Sequence, residues 1–221
     1  MEERRDRDAI ILGALLHDIG KFYQRSLPKM SGDHKDLGGD CFQKHFREKL
    51  RFLFSVDQMN TIERAITGHH DYVEFVTHAD QLSSGMDRIP LVEEERGDPW
   101  SDRLESIFAK LFSPAKKVEF FYKVAPLSLE KETLFPKKFQ RGSLIEEYDK
   151  QWKNFIEEVK NIPTNSFERY FQSLYYLLSF LRGCPTQKGK GQILKVLIAS
   201  TGDQSFNLIP PPIPRLFQNS P

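Results

Sequence analysis

The chain has 221 residues, a net charge of +1 and a hydrophobic share of 39%, with a mean hydropathy of −0.51. These values favour a soluble globular protein and give no overall attraction to nucleic acid. No run approaches the roughly 20 apolar residues of a transmembrane helix, and the charged N-terminus lacks a signal-peptide pattern. We therefore expect a cytoplasmic protein with no membrane partner. Two cysteines, Cys41 and Cys184, are too few for a disulfide framework or a four-cysteine zinc site.

Charge is distributed unevenly along the chain. Residues 89–105 hold six acids against two arginines, residues 110–141 hold eight bases against three acids, and residues 182–221 hold five bases against one acid. A basic segment can steer an anionic partner. For any one of these segments, an ordinary solvated surface is the interpretation we favour.

The first 88 residues predict a set of helices. An apolar helical stripe starts at Ile10 and ends near His17–Gly20, with Gly20 suited to a helix C-cap. Residues 24–33 predict a loop and residues 35–54 a second helix, whose first turn is weakened by the glycine pair at 38–39. Residues 56–67 and 71–85 predict a third and a fourth helix.

Residues 89–142 predict a linker with a short helix over 104–112 and a possible β-hairpin, for which Lys117–Val124 is the best strand. Residues 143–160 predict a helix with Ser143 as cap and Glu146 completing a capping box. Asn165 is expected to cap an aromatic helix that runs to Arg182. Residues 185–221 predict a loosely structured tail. The fold class is therefore mainly α, a helical bundle with a small β element and additional C-terminal helices.

The motif LLHDIGKF, residues 15–22, places His17 and Asp18 side by side in an apolar helical pattern. Histidine and aspartate together bind divalent cations. His34 opens the second helix, His69 and His70 follow the third, and Asp80 lies on the fourth, so neighbouring helices of a bundle can bring them to one pocket. Each piece alone is a weak signal. Their order, with five of the six histidines between residues 17 and 70, predicts a metal site.

The motifs also carry a family resemblance. LLHDIGKF followed by GHH and then AD resembles the HD superfamily of metal-dependent phosphohydrolases. HADQLSSGMDR, APLSLEKETLFP and YYLLSFLRGCP further resemble the large subunit, the Csm-one or Cas-ten family, of type III-A CRISPR effector complexes. The resemblance covers roughly residues 8–186. It implies an HD-type helical bundle that cuts single-stranded DNA with a divalent transition metal, in antiviral defence, together with the other subunits and the guide RNA.

The family's large subunit continues into palm-type domains, one of which makes cyclic oligoadenylates. This sequence departs from the family pattern after Cys184 and Pro185, so we expect a truncated or split subunit without palm domains. On this interpretation residues 1–88 are the HD core, residues 89–142 a linker, residues 143–184 helices that complete or pack on the HD domain, and residues 185–221 a tail. Cyclase activity is not expected.

The resemblance suggests roles for the candidate residues. Asp18 would bind metal and could bridge two ions. The expected cofactor is a divalent transition metal, Mn, Ni or Co, present as one or two ions. The first ion would also be bound by His17, by Asp80 and by one member of the His69–His70 pair. The second ion would be bound by His34 and by the other member of that pair. Lys21 would contact a phosphate, or is a lysine favoured by the helix dipole. Ser83, Ser84 and Arg88 would contact substrate or simply close the helix.

Two histidines are left out of this set on spacing. His45 lies about three helical turns from His34, and His78 lies two residues from Asp80 and so faces another way. Histidine ligands must be neutral, so we expect activity to fall in acid through about pH 6.

Two other functions remain open. The same metal set fits an HD phosphohydrolase that acts on nucleotides or cyclic nucleotides. A non-catalytic assembly module is the other alternative, in which the aromatic helix would cover a palm surface. The competing interpretation of that helix, which we favour, is that its aromatic side chains belong to the chain's own core. Those side chains are Phe167, Tyr170, Phe171, Tyr175, Tyr176 and Phe180.

Overall fold

A computed structural model describes residues 2–28, 32–68, 76–78, 103, 120–125, 131, 135–138 and 143–182. Its elements confirm the predicted fold class, since they are helices with one small two-stranded antiparallel sheet. In chain order they are α1 (Glu2–Leu16), α2 (Ile19–Arg25), α3 (His34–His45), α4 (Arg47–Leu50), α5 (Val56–Thr67), β1 (Phe120–Phe121), β2 (Lys137–Lys138), α6 (Ile145–Asn161) and α7 (Phe167–Arg182).

One hydrophobic core joins the N-terminal helices to the C-terminal ones. Helix α1 packs along α5, and α2 packs along α3 and against α6. Side chains from all seven described helices meet in this core, and the large ones include Leu12, Phe42, Ile62, Phe155 and Tyr170. Burial of such side chains is worth about 1.5–3 kcal/mol each, so the shared core holds α6 and α7 firmly on the N-terminal helices.

The aromatic side chains of α7 belong mainly to this core, as we favoured. Tyr170 and Phe171 are buried, and Phe167 and Tyr175 pack against the core as partly buried side chains. Tyr176 is half-buried, and the side chain of Phe180 lies outside the described residues. This helix therefore stabilises the chain's own fold.

Two helix boundaries differ from the sequence-based prediction near the N-terminus. Gly20 is not a C-cap, because α1 already ends at Leu16 and Gly20 lies in the first turn of α2. The predicted helix over residues 35–54 is broken at Phe46, where φ is −117°, and α3 and α4 lie on either side of the break. The apolar side chains Cys41, Phe42 and Leu50 of α3 and α4 are nevertheless all buried in the core.

Two predicted caps are wrong by one residue. Leu144 occupies the cap position of α6, and the Ser143 hydroxyl accepts a hydrogen bond from the Ile145 N–H at 3.3 Å. Before α7, the Ser166 hydroxyl accepts from the Arg169 N–H at 3.2 Å, in the place assigned to Asn165. A complete capping box occurs at α5 instead.

Of the predicted strand over Lys117–Val124, residues 120–124 are described, and among them Phe120–Phe121 form a strand that pairs with Lys137–Lys138. Of the predicted helix over residues 71–85, residues 76–78 are described and are helical. The predicted short helix over residues 104–112 and the tail lie outside the described residues. Across the described helices, none is long and apolar enough to cross a membrane.

Candidate metal centre

His17 lies in the two-residue break between α1 and α2 and is only 3% exposed. Its Nδ1 lies 2.7 Å from the carbonyl oxygen of Ala14, one turn earlier. A carbonyl oxygen can only accept, so Nδ1 must carry the hydrogen and donate it. In the neutral imidazole, Nε2 therefore has the lone pair, which is the form that binds a metal.

Asp18 links His17 to Lys21. Its Oδ2 lies 3.6 Å from the Nε2 of His17, and its Oδ1 lies 2.6 Å from the Nζ of Lys21. Although Asp18 precedes α2, its side chain makes no capping hydrogen bond and is directed to these two neighbours. The structure thus brings together three of the predicted site residues, and a ring nitrogen and a carboxylate oxygen at this separation can ligate one cation.

His34 is the first residue of α3, and its Nδ1, like that of His17, contacts an oxygen acceptor of the chain. Its Nδ1 lies 2.9 Å from the Oδ1 of Asp33, and that carboxylate also caps the helix by accepting from the Lys35 N–H at 3.1 Å. The backbone hydrogen bond from Lys35 is the largest cause that lowers the pKa of Asp33. An ionised carboxylate only accepts, so Nδ1 of His34 donates and the solvent-shielded Nε2 has the lone pair.

Gly20 allows α3 to lie directly against the turn that carries His17 and Asp18. A Cβ added at Gly20 would lie 1.8 Å from the carbonyl oxygen of His34 and 2.7 Å from the backbone nitrogen of Gly38. The backbones of α2 and α3 therefore touch at this point. The absence of a side chain at residue 20 is what brings the start of α3, and with it His34, beside the turn.

The glycine pair of α3 has a packing role that its low helix propensity does not suggest. A Cβ at Gly38 would lie 2.9 Å from Cγ2 of Ile66, and one at Gly39 would lie 2.8 Å from Cγ2 of Thr67. Both neighbours are in the last turn of α5. The pair therefore seats α3 on the end of α5, and Gly68, which follows that helix, directly precedes the predicted ligand His69.

The remaining predicted site residues lie outside the described residues. They are His69, His70, Asp80, Ser83, Ser84 and Arg88. Among the residues that are described, no group of three or more histidine, cysteine, aspartate or glutamate side chains could hold a metal ion. Of the predicted ligands, the described part contains the His17–Asp18 pair and His34, and it does not gather these three into one metal-binding group.

Two other candidate ligands are packing residues. The ring of His45 lies 6.1 Å from that of Trp152 in an edge contact, and burial is the main cause that lowers the pKa of His45. Cys41 is 1% exposed, and burial raises the pKa of its thiol. Both side chains therefore have packing contacts in the described part of the chain.

The sequence-based set missed the two groups that orient the imidazoles, the Ala14 carbonyl and the Asp33 carboxylate. A backbone carbonyl gives no sequence signal. Asp33 does give one, since an aspartate directly before a predicted helix is a preferred N-cap and stands next to a candidate ligand.

Comparison with known proteins agrees with these features. Residues 1–100 match the HD domain family. A curated relative from Methanocaldococcus jannaschii, the CRISPR system single-strand-specific deoxyribonuclease Cas10/Csm1 (subtype III-A), is 31% identical over an alignment of 188 residues that covers 74% of this chain and 22% of the relative. The crystal structure of Csm1 in T. onnurineus shares 24% identity with a TM-score of 0.48, covering 89% of this chain and 27% of that chain.

The N-terminal part of the chain thus carries a match to the HD domain family, as the motif predicted. Over the 74% of its length that is aligned, the chain is homologous to Cas10/Csm1 of type III-A CRISPR systems, which confirms the resemblance carried by its motifs. It spans about a fifth of the length of the curated relative, 22%.

Proposed function

We propose that the chain is a metal-dependent nuclease that hydrolyses phosphodiester bonds of single-stranded DNA at the HD site, as part of a type III-A CRISPR effector complex with its guide RNA and other subunits. The HD domain and the homology to a protein named a single-strand-specific deoxyribonuclease support this function. The observation that carries it is that His17 and His34 each direct Nδ1 to an oxygen acceptor, which leaves Nε2 of both rings with the lone pair for a metal.

Histidines that bind metals nearly always donate their other ring N–H to a carbonyl or a carboxylate, which fixes the ring and the tautomer. His17 does this through Ala14, and His34 does it through Asp33. Asp18 adds an oxygen donor next to the Nε2 of His17. Nitrogen and oxygen donors of this kind fit a divalent transition metal such as Mn, Ni or Co, with one or two ions. His69, His70 and Asp80 are proposed to complete the ligand set.

When bound, such a metal supplies an acidified water and offsets negative charge on phosphoryl oxygens. The chain's own residues then have distinct tasks. His17 and Asp18 hold the cation, and Lys21, which pairs with Asp18 at 2.6 Å, gives a further positive charge for a phosphate oxygen. Ser83, Ser84 and Arg88 are proposed to contact the substrate strand.

The test is cleavage of a labelled single-stranded DNA by metal-stripped protein that is re-supplied separately with Mn, Ni, Co, Mg or Zn. We expect metal-dependent cleavage by the wild type and none by His17→Ala/Asp18→Ala. A matched control, His45→Ala/Asp40→Ala, removes the same two residue types from α3 and should cleave like the wild type.

Cleavage that continues without metal, or in the His17→Ala/Asp18→Ala variant, would contradict the proposal. Hydrolysis of nucleotides or cyclic nucleotides without cleavage of DNA would favour the small-substrate alternative. A folded, metal-loaded wild type that hydrolyses neither would favour the assembly-module alternative.

A further inference from the structure

A short antiparallel ribbon presents aromatic rings and lysines together. It consists of residues 120–125 and 135–138, in which Phe120 pairs with Lys138 and Phe121 with Lys137. Directly paired residues point to the same face of a sheet, and Nζ of Lys138 lies 5.8 Å from the centre of the Phe120 ring. Phe120 is 42% exposed and Phe135 is 61% exposed. Two rings thus stand open to solvent on a surface that also presents cations.

The ribbon is positively charged. Its described residues include three exposed lysines, Lys123, Lys137 and Lys138, and no carboxylate. The surrounding sequence, residues 110–141, holds eight bases against three acids. A solvent-exposed phenylalanine alone is ordinary. Exposed rings among lysines form the combination that binds unpaired nucleic acid, because the lysines contact phosphates and the rings stack on bases.

The ribbon is anchored next to α2, the helix that begins directly after His17 and Asp18. Val124, which follows β1, is 1% exposed and packs against Leu144 and Tyr148, and Phe22 of α2 packs on the same cluster. The Val124 N–H also donates to the carboxylate of Glu147 at 3.0 Å. Phe22 directly follows Lys21, which pairs with Asp18. One set of packed side chains therefore joins the ribbon to the helix that follows His17 and Asp18.

We propose that this ribbon binds single-stranded DNA and presents it to the HD site. The proposal rests on the function proposed above and adds to it a substrate-binding surface outside the metal centre. The exposed rings favour a single strand over a duplex, since the bases of a duplex are already stacked on one another.

The test is binding of a fluorescently labelled oligo-dT of about 20 nucleotides to the 221-residue chain, measured by anisotropy with a chelator present so that no cleavage occurs. Phe120→Ala and Phe135→Ala should each weaken binding about fivefold or more, from the loss of base stacking. Lys137→Gln/Lys138→Gln should lower the salt dependence, the slope of log K against log salt, by about 1.4, which is 0.7 for each lost phosphate contact.

Matched controls change the same residue types elsewhere. Phe52→Ala removes a ring that is 68% exposed, and Lys153→Gln/Lys160→Gln makes the same change in net charge on α6. Both should bind like the wild type. RNA and duplex DNA of the same length serve as competitors, and we expect single-stranded DNA to compete best.

Ribbon variants that bind like the wild type would overturn the inference, as would stronger competition by RNA or by duplex DNA. The lysine variant keeps the test valid if an alanine at Phe120 disturbs the ribbon. The same measurements distinguish a failure of this inference from a failure of the proposed nuclease function. If the ribbon variants lose binding while the wild type never cleaves, the DNA surface stands and the nuclease function does not. If cleavage is metal-dependent but the ribbon variants bind and cleave normally, the reverse holds.

Discussion

Replacement of Gly20 by alanine is the most direct test of how the metal centre is assembled. The added Cβ would lie 1.8 Å from the His34 carbonyl oxygen, where ordinary contact begins near 3.4 Å, so the start of α3 must move by about 1.6 Å. The obstacles are backbone atoms of His34 and Gly38, which no side-chain rotation can move. Overpacking costs about 1–3 kcal/mol, and alanine's better helix propensity returns at most about 1 kcal/mol. We expect a net loss of about 2 kcal/mol in the free energy of unfolding.

The effect on function should exceed the effect on stability. A shift of about 1 Å in an active-site group can lower a rate roughly 100-fold. The Gly20→Ala protein should therefore bind Mn more weakly in titration calorimetry and cleave DNA far more slowly, under conditions where urea denaturation shows that it is folded.

Gly39→Ala is the matched control. Its added Cβ would meet the Cγ2 methyl of Thr67 at 2.8 Å, a side-chain atom that a χ1 rotation can move, at the expense of the Thr67 hydroxyl bond to the Glu63 carbonyl. This variant should lose less stability and retain metal binding. If Gly20→Ala instead matches the wild type in both stability and Mn affinity, then the contact between α2 and α3 does not position His34.

Three further predictions follow from single contacts. Burial raises the pKa of Glu147, but hydrogen bonds from Arg103 and the backbone outweigh it and hold the pKa below its usual 4.5. Glu147→Gln should therefore cost about 1.5–3 kcal/mol at pH 7, and the deficit should shrink as the pH falls below 4.5; a pH-independent deficit in urea denaturation would contradict this. Asp33→Ala should lose about 1 kcal/mol of stability and bind metal about 10–100-fold more weakly, whereas Asp33→Asn should keep the cap; unchanged metal affinity in the alanine variant would show that His34 is not a ligand. The hydroxyl of Tyr170 is buried and has no hydrogen-bond partner among the described residues, so Tyr170→Phe should be neutral or stabilising, and a loss above about 1 kcal/mol would count against it.

Local signals in the sequence were sufficient for part of the fold. The helix over Val56–Thr67 is observed with the predicted ends, because its apolar period and its capping residue Ser55 are close in sequence and act together. Local signals failed where packing between helices decides the structure. Glycine is the residue type expected at a helix end, but Gly20 instead permits a close contact with the start of α3, fourteen residues further along the chain.

The small sheet shows the same limit. An alternating apolar pattern located β1, but the partner strand is Lys137–Lys138, which has no apolar residue and no strand signal. Val124, which follows β1, is anchored against Tyr148 of α6, a contact that no local pattern contains. The exposure of Phe120, which supports the inference of a DNA-binding surface, is equally absent from the local sequence pattern.

The candidate metal centre lies at a helix break that the sequence of the motif does not indicate. In a continuous helix, consecutive side chains diverge by about 100°, so an adjacent histidine and aspartate would point away from each other. The chain leaves the helix at His17 and Asp18 and begins again at Ile19, and this brings Nε2 and Oδ2 to within 3.6 Å. The same break lets Gly20 meet the start of α3, where the Asp33 cap directs the imidazole of His34. The residue types of the motif predict a metal site, and the proposed sharing of one cation by His17 and Asp18 rests on the short turn between the two helices.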